Sequence, residues 1–146
     1  MIDRFSTFVG TITQINRCIN TIKCREMQPL GLKGSHVMCL FYLQHYSRGL
    51  TAAQLSRLAH EDKAAISRAL ADLEKNELVA CGAPTDQKRY RAPLCLTDKG
   101  KEVCRKMDEL ILGAMEVGGR GYSDEEREIF YRVLLQIADN LQNACK

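Results

Sequence analysis

The sequence predicts a mainly α fold with one small β hairpin, and two observations carry that reading. Apolar residues recur at spacings of three and four through most of the chain, the period of amphipathic helices. The exception lies between Leu78 and Thr97, where Leu78-Val79-Ala80 and Ala92 to Thr97 flank Gly82 to Asp86, a stretch with Gly, Pro and Asp. Those are turn formers, so this region reads as strand, turn and return strand. Two short helices come directly before it. Helix, helix, hairpin is the order of a winged helix-turn-helix, which makes the class α+β with long helices at both ends.

From the N-terminus, Ile2 to Lys23 is the first helix. Phe5, Phe8, Val9, Ile12, Ile15, Ile19 and Ile22 form a stripe along it, longer than one small core usually needs. It is either the core helix of a monomer or a helix that also packs on a second subunit. Residues 27–31, Met-Gln-Pro-Leu-Gly, end it, because the residue before Pro29 is pushed out of helical geometry. A second helix spans Ser35 to Tyr46, with Ser35 as its cap. Val37, Met38, Leu40, Phe41 and Leu43 are nearly continuous, so it is expected to be buried on most sides. In the third, Leu55, Leu58 and Ala59 give an apolar face and Thr51 a cap. After a break at His60-Glu61-Asp62, Asp62 caps a fourth whose face is Ile66, Leu70 and Leu73.

Beyond the hairpin, Thr97 caps a helix carrying Gly100, Val103, Met107, Leu110, Ile111 and Ala114, and Gly118-Gly119-Arg120-Gly121 closes it. Ser123 to Glu126, S-D-E-E, is a capping box opening the last helix. Ile129, Phe130, Val133, Leu134, Ile137 and Leu141 lie on its one face. No internal repeat or low-complexity linker interrupts the chain.

Composition bounds the function. A chain of 146 residues is one domain, or one domain with appended helices. Hydrophobic content of 45% supports a core, and 27% charged residues is ordinary for a soluble protein. No apolar run reaches the roughly 18 residues of a bilayer span. The start MIDRFSTFVGTITQ does not read as a signal peptide, so a cytoplasmic location is expected. Net charge is +3, too small to argue for a partner. Its placement says more: from Val79 to Lys101 there are five basic residues (Lys88, Arg89, Arg91, Lys99, Lys101) against two acidic. Such a cluster on a hairpin suits a phosphate-seeking wing, or a solvated turn.

Seven cysteines, at 18, 24, 39, 81, 95, 104 and 145, are odd in number and include no Cys-x-x-Cys, so neither a disulfide framework nor a zinc finger is expected. Cys39 and Cys95 sit in apolar patterns as small core residues. Cys18, Cys24 and Cys81 are the candidate redox thiols, with inert packing as the alternative. His36 and His45 are nine residues apart on one helix, hence on opposite faces, and no metal site is expected. No nucleophile elbow, phosphate loop or paired-carboxylate motif is present, so an enzyme is not expected and no cofactor is assigned.

The stretch LTAAQLSRLAHEDKAAISRALADLEKNELV, the basic wing DQKRYR and the following LTDKG together resemble the MarR (multiple antibiotic resistance regulator) family of winged helix-turn-helix transcription factors. In outline the likeness covers the whole chain, 1–146, as a single MarR-like domain. Three departures stand out. The family usually has Gly where Glu77 stands and often Arg where Cys81 stands, and Lys88 and Tyr90 disturb the usual order of acid before two bases in the wing. The resemblance implies a DNA-binding lobe over 35–97, and dimerisation helices over 1–24 and 98–145 interlocked with a second copy. It also implies a small-molecule effector, often a phenolic or lipophilic anion, between the two regions. Some relatives sense oxidants through cysteine.

The function expected is therefore a sequence-specific transcriptional regulator, a repressor released by a small molecule or an oxidant. A two-fold homodimer would present two recognition helices to a palindromic operator in double-stranded DNA. On the fourth helix Lys63, Ala64, Ala65, Ser67 and Arg68 lie early and away from the buried face. Arg68 suits guanine, Ser67 a base or phosphate, and the two alanines allow close approach to a thymine methyl. Alternatively Arg68 pairs with Asp72 four residues on. Lys88, Arg89 and Arg91 would meet phosphate or the minor groove. The competing reading is a winged-helix protein-interaction module without DNA contacts, which the basic wing argues against.

Overall fold

A computed structural model of the chain describes residues 2–82 and 92–146. Six helices and two strands follow in order: α1 (Ile2–Met27), α2 (His36–His45), α3 (Ala52–Ala59), α4 (Lys63–Lys75), β1 (Val79–Cys81), β2 (Leu94–Leu96), α5 (Asp98–Gly118) and α6 (Asp124–Ala144). The expected mainly α winged helix is the observed class. Two compact units divide the chain, Met1–Leu110 and Ile111–Lys146. Among the described residues no helix is long and apolar enough to cross a membrane.

In the first unit, α1 runs four residues past the expected end at Lys23 and reaches the buried Met27. Pro29 then sits at the start of a 3₁₀ turn, Gln28–Leu30, where its missing N–H costs no hydrogen bond. Gly31 closes that turn with φ of 69° and donates its N–H to Gln28 O. The stripe on α1 is not a monomer core: Phe5, Phe8, Val9, Ile12, Ile15 and Ile19 are all exposed in the single chain.

Helix α2 starts at His36, and the expected Ser35 cap does not form. Ser35 has helical angles and its hydroxyl caps nothing. The reason is local: a tight turn already binds His36 N–H to Lys33 O and Val37 N–H to Gly34 O. Burial of Val37, Cys39, Leu40 and Leu43 agrees with the dense apolar pattern. Thr51 caps α3 as expected, in a reciprocal box with Gln54. His60 ends α3 in the left-handed region, φ 51°, and Ser56 Oγ donates to Glu61 O across that bend.

Helix α4 then buries Ile66, Ala69, Leu70 and Leu73. Leu40, Leu55, Leu73 and Met107 are among the fully buried side chains of this core. Each contributes about 1.5–3 kcal/mol by leaving water. Cys39 is fully buried as expected, Cys104 is fully buried too, and Cys95 is only half-buried. Cys95 lies on the short β2 strand, at the edge of the core, with its sulfur so close to Gly49 and Gly82 that an added Cβ would come within 2.7 and 2.9 Å of it.

The strands pair antiparallel with Val79 opposite Leu96, Ala80 opposite Cys95 and Cys81 opposite Leu94. β1 is as long as the expected Leu78-Val79-Ala80 but starts one residue later, and β2 is shorter than the expected Ala92 to Thr97. Leu78 serves instead as a buried junction, its N–H bonded to Leu73 O and its carbonyl taken by Thr97 N–H. Leu50, before α3, exchanges two hydrogen bonds with Leu94, at 3.0 and 2.9 Å, and so extends the sheet on the far side of β2. Thr97 caps α5 as expected: its hydroxyl accepts from Gly100 N–H at 3.0 Å and donates to Glu77 O at 2.6 Å. Gly100 packs so closely that an added Cβ would strike the Leu78 carbonyl oxygen.

In the second unit, Ser123 and Glu126 form the expected capping box of α6. Arg127 donates to Gly119 O at 3.0 Å, tying the glycine turn to that helix. No α6 residue is buried, and Ile129, Phe130, Val133 and Leu141 stand exposed.

Candidate nucleic-acid interface

The candidate surface is built by one capping carboxylate and one buried face. Asp62 Oδ2 accepts the N–H groups of Ala64 and Ala65 at 3.1 and 3.2 Å. This satisfies two of the free amides at the helix start and complements its dipole. With Ile66, Ala69, Leu70 and Leu73 turned inward, Lys63, Ala64, Ser67 and Arg68 are exposed together and Ala65 is half-buried. The structure thus brings the five α4 candidates onto the outer part of one helix. The wing candidates Lys88, Arg89 and Arg91 lie outside the described residues.

Arg68 makes no hydrogen bond or ion pair among the described residues. The expected alternative, pairing with Asp72, is not what the carboxylate does. Asp72 Oδ2 accepts from Lys33 Nζ at 2.8 Å and faces His36 Nε2 at 3.4 Å. The Lys33 hydrogen bond, then the one from His36, hold the Asp72 carboxyl below its usual range. On the imidazole, Nδ1 accepts the Lys33 N–H at 3.1 Å. That fixes the neutral tautomer with its proton on Nε2, aimed at Asp72. Burial lowers the His36 pKa, outweighing the carboxylate's pull in the other direction. His36 is 2% exposed and is the buried polar residue of the described core. Sequence reasoning missed this cluster, since 36 residues separate the imidazole from its carboxylate and no periodicity links them.

Around α4, Glu77 adopts φ of 60°. Lys99 Nζ donates to Asn76 O at 2.9 Å and stands 3.9 Å from Glu77 Oε2. The candidate thiols Cys18, Cys24 and Cys81 are exposed. Burial pushes the Cys39 and Cys104 thiols up to about 11, so both stay protonated and inert near neutral pH. Among the described residues no group of His, Cys, Asp or Glu is arranged to hold a metal ion.

A capped second helix presenting a free arginine, a short helix before it and a paired strand behind it define a winged helix-turn-helix protein. Residues 30–89 match the sequence model of the MarR family. None of the curated proteins compared with the chain matches it. Solved structures match along most of its length. A MarR transcriptional regulator from Methanosarcina mazei is 22% identical, with a TM-score of 0.78 over 93% of this chain and 98% of its own. A MarR family transcriptional regulator from Listeria monocytogenes, solved with a 26mer DNA, is 21% identical, with a TM-score of 0.81 over 92% of this chain and 89% of its own. Staphylococcus aureus MarR, solved with salicylate and kanamycin, is 18% identical, with a TM-score of 0.78 over 94% and 92%. At these identities the likeness is one of fold.

Proposed function

We propose that the chain is a sequence-specific DNA-binding transcriptional regulator acting as a homodimer on a palindromic operator. The observation that carries this reading is α4: a helix capped by Asp62, anchored by four apolar residues, with Lys63, Ser67 and Arg68 exposed on it. A helix of this kind enters a major groove, where an arginine reads guanine bidentately. The Listeria relative bound to a 26mer DNA supports the same use of the fold.

The homodimer is supported by the apolar stripe of α1, exposed from Ile2 to Ile19, and by the exposed apolar residues of α6. Repression, with release by a small molecule, is supported by the Staphylococcus aureus relative that holds salicylate. Release by oxidation would act through Cys18, Cys24 or Cys81, all exposed. Residues 35–97 are the DNA-binding lobe in this reading, and 1–24 with 98–145 the dimerisation helices.

The experiment is a fluorescence-anisotropy titration with a duplex that the protein itself selects from a random-sequence library, repeated across a salt series and against scrambled DNA. A regulator binds the selected duplex far more tightly and loses affinity steeply as salt rises. Equal, negligible binding to both duplexes refutes the reading and leaves a protein-interaction module.

A further inference from the structure

Arg68 and Asp72 stand four residues apart on α4. On a helix that spacing makes an opposite-charge pair neighbours, and a guanidinium so paired is less available to DNA. Yet the Asp72 carboxylate bonds away from its own helix. It is taken at 2.8 Å by Lys33 and approached at 3.4 Å by His36, both from the segment that begins α2. His36 is held in turn by the Lys33 amide, so one short segment supplies both donors and fixes their geometry.

We propose that Lys33 and His36 sequester Asp72 so that Arg68 stays unpaired and free for DNA, which makes Asp72 and Lys33 positioning residues for the recognition arginine. This rests on the DNA-binding reading given above. Without the Lys33 ammonium, Asp72 keeps its charge but loses its nearest cation, and the cations one turn away along α4 are Arg68, four residues before it, and Lys75, three residues after it; the Arg68→Ala arm of the test separates the two. Exposed pairs of this kind are weak, so competition costs about two- to threefold in DNA affinity rather than abolishing binding.

The test is a mutant cycle. Lys33→Met, Asp72→Asn and the double variant are titrated against the selected duplex, each with Arg68 present and with Arg68→Ala. The expected result is that Lys33→Met weakens binding about two- to threefold, that the double variant binds as Asp72→Asn does, and that this coupling vanishes in the Arg68→Ala set. A second measurement uses the free protein. The Arg68 side-chain Nε–H signal in a ¹⁵N-edited NMR spectrum shifts in Lys33→Met and returns in the double variant. Coupling between 33 and 72 that persists without Arg68 overturns the proposal, since it marks a merely structural tie. So does an additive loss from Lys33→Met, which marks a direct phosphate contact, or an unmoved Arg68 signal. If the parent selects no duplex, the DNA-binding reading falls, while the Arg68 signal still decides whether Asp72 competes for it.

Discussion

The imidazole of His36 faces the carboxylate of Asp72 across the packing of α2 against α4, Nε2 to Oδ2 at 3.4 Å, while its other nitrogen accepts the Lys33 amide. A proton added to Nδ1 would set two N–H groups against each other inside the core. Burial therefore lowers the His36 pKa from its ordinary 6.5, against the pull of Asp72 and with the help of Lys33. In the window from 6.5 down to the lowered value, the unfolded chain binds the proton and the folded chain does not. Stability from this group is fully present above 6.5 and is lost as pH falls through that window. Urea unfolding at about pH 7.5 and about pH 5.5 checks it: the parent loses stability on acidification, and His36→Asn, which keeps an acceptor but takes up no proton, loses less.

Glu77 occupies a left-handed conformation, φ 60°, that disfavours a side chain by about 1–2 kcal/mol. Glycine gives back roughly 0.5–1 kcal/mol through its freer unfolded state. Glu77→Gly should therefore stabilise the chain by about 0.5–1 kcal/mol, seen as a raised denaturant midpoint. The exposed contact to Lys99 at 3.9 Å is too weak to reverse that sign.

Gly100 behaves oppositely. Its φ is ordinary, but a methyl group there would collide with the Leu78 carbonyl where α5 passes β1. Gly100→Ala should cost about 1–3 kcal/mol, the usual penalty of overpacking, and lower the thermal midpoint by several degrees. An unchanged midpoint would mean that the helix shifts freely at this point.

Ile15 is 45% exposed on α1, so Ile15→Asp leaves the single chain's core intact. Sedimentation equilibrium should report twice the chain mass for the parent and a mixture rich in monomer for the variant, with its circular dichroism spectrum unchanged. A parent of single-chain mass would rule out the dimer.

Arg68 and Arg89 should separate in a salt series. Losing a bidentate guanine contact removes roughly 1–3 kcal/mol of discrimination, so Arg68→Ala narrows the gap between selected and scrambled DNA. Losing a phosphate contact weakens both and flattens the salt slope by about one unit, the outcome expected of Arg89→Ala. Unchanged discrimination in Arg68→Ala removes that residue from base readout.

What was legible in the sequence was whatever a local rule governs. Thr51, Asp62, Thr97 and Ser123 each cap the helix expected of them, because a hydroxyl or carboxylate two or three residues from a free amide needs no tertiary help. The face of α4 followed from spacing alone. Ser35 misled, since a preceding backbone turn had already satisfied the Val37 amide it would have capped. The link of Lys33 and His36 to Asp72 was invisible, as it exists only after α2 packs on α4. Glu77 was noticed as a departure from a usual glycine, but only the backbone angle gives that departure its meaning.

The double hydrogen bond between Leu50 and Leu94, with Gly82 N–H on Pro93 O, closes the base of the hairpin from both sides. The strand ends at Gly82 and Pro93 are thereby held together. Lengthening such a closed segment is inexpensive: each doubling costs only about 0.6 kcal/mol of closure entropy. Changes of length between residues 82 and 92 should therefore weigh little on the pairing of β1 with β2. The paired base, rather than the length of what it closes, is the part of the hairpin that folding must preserve.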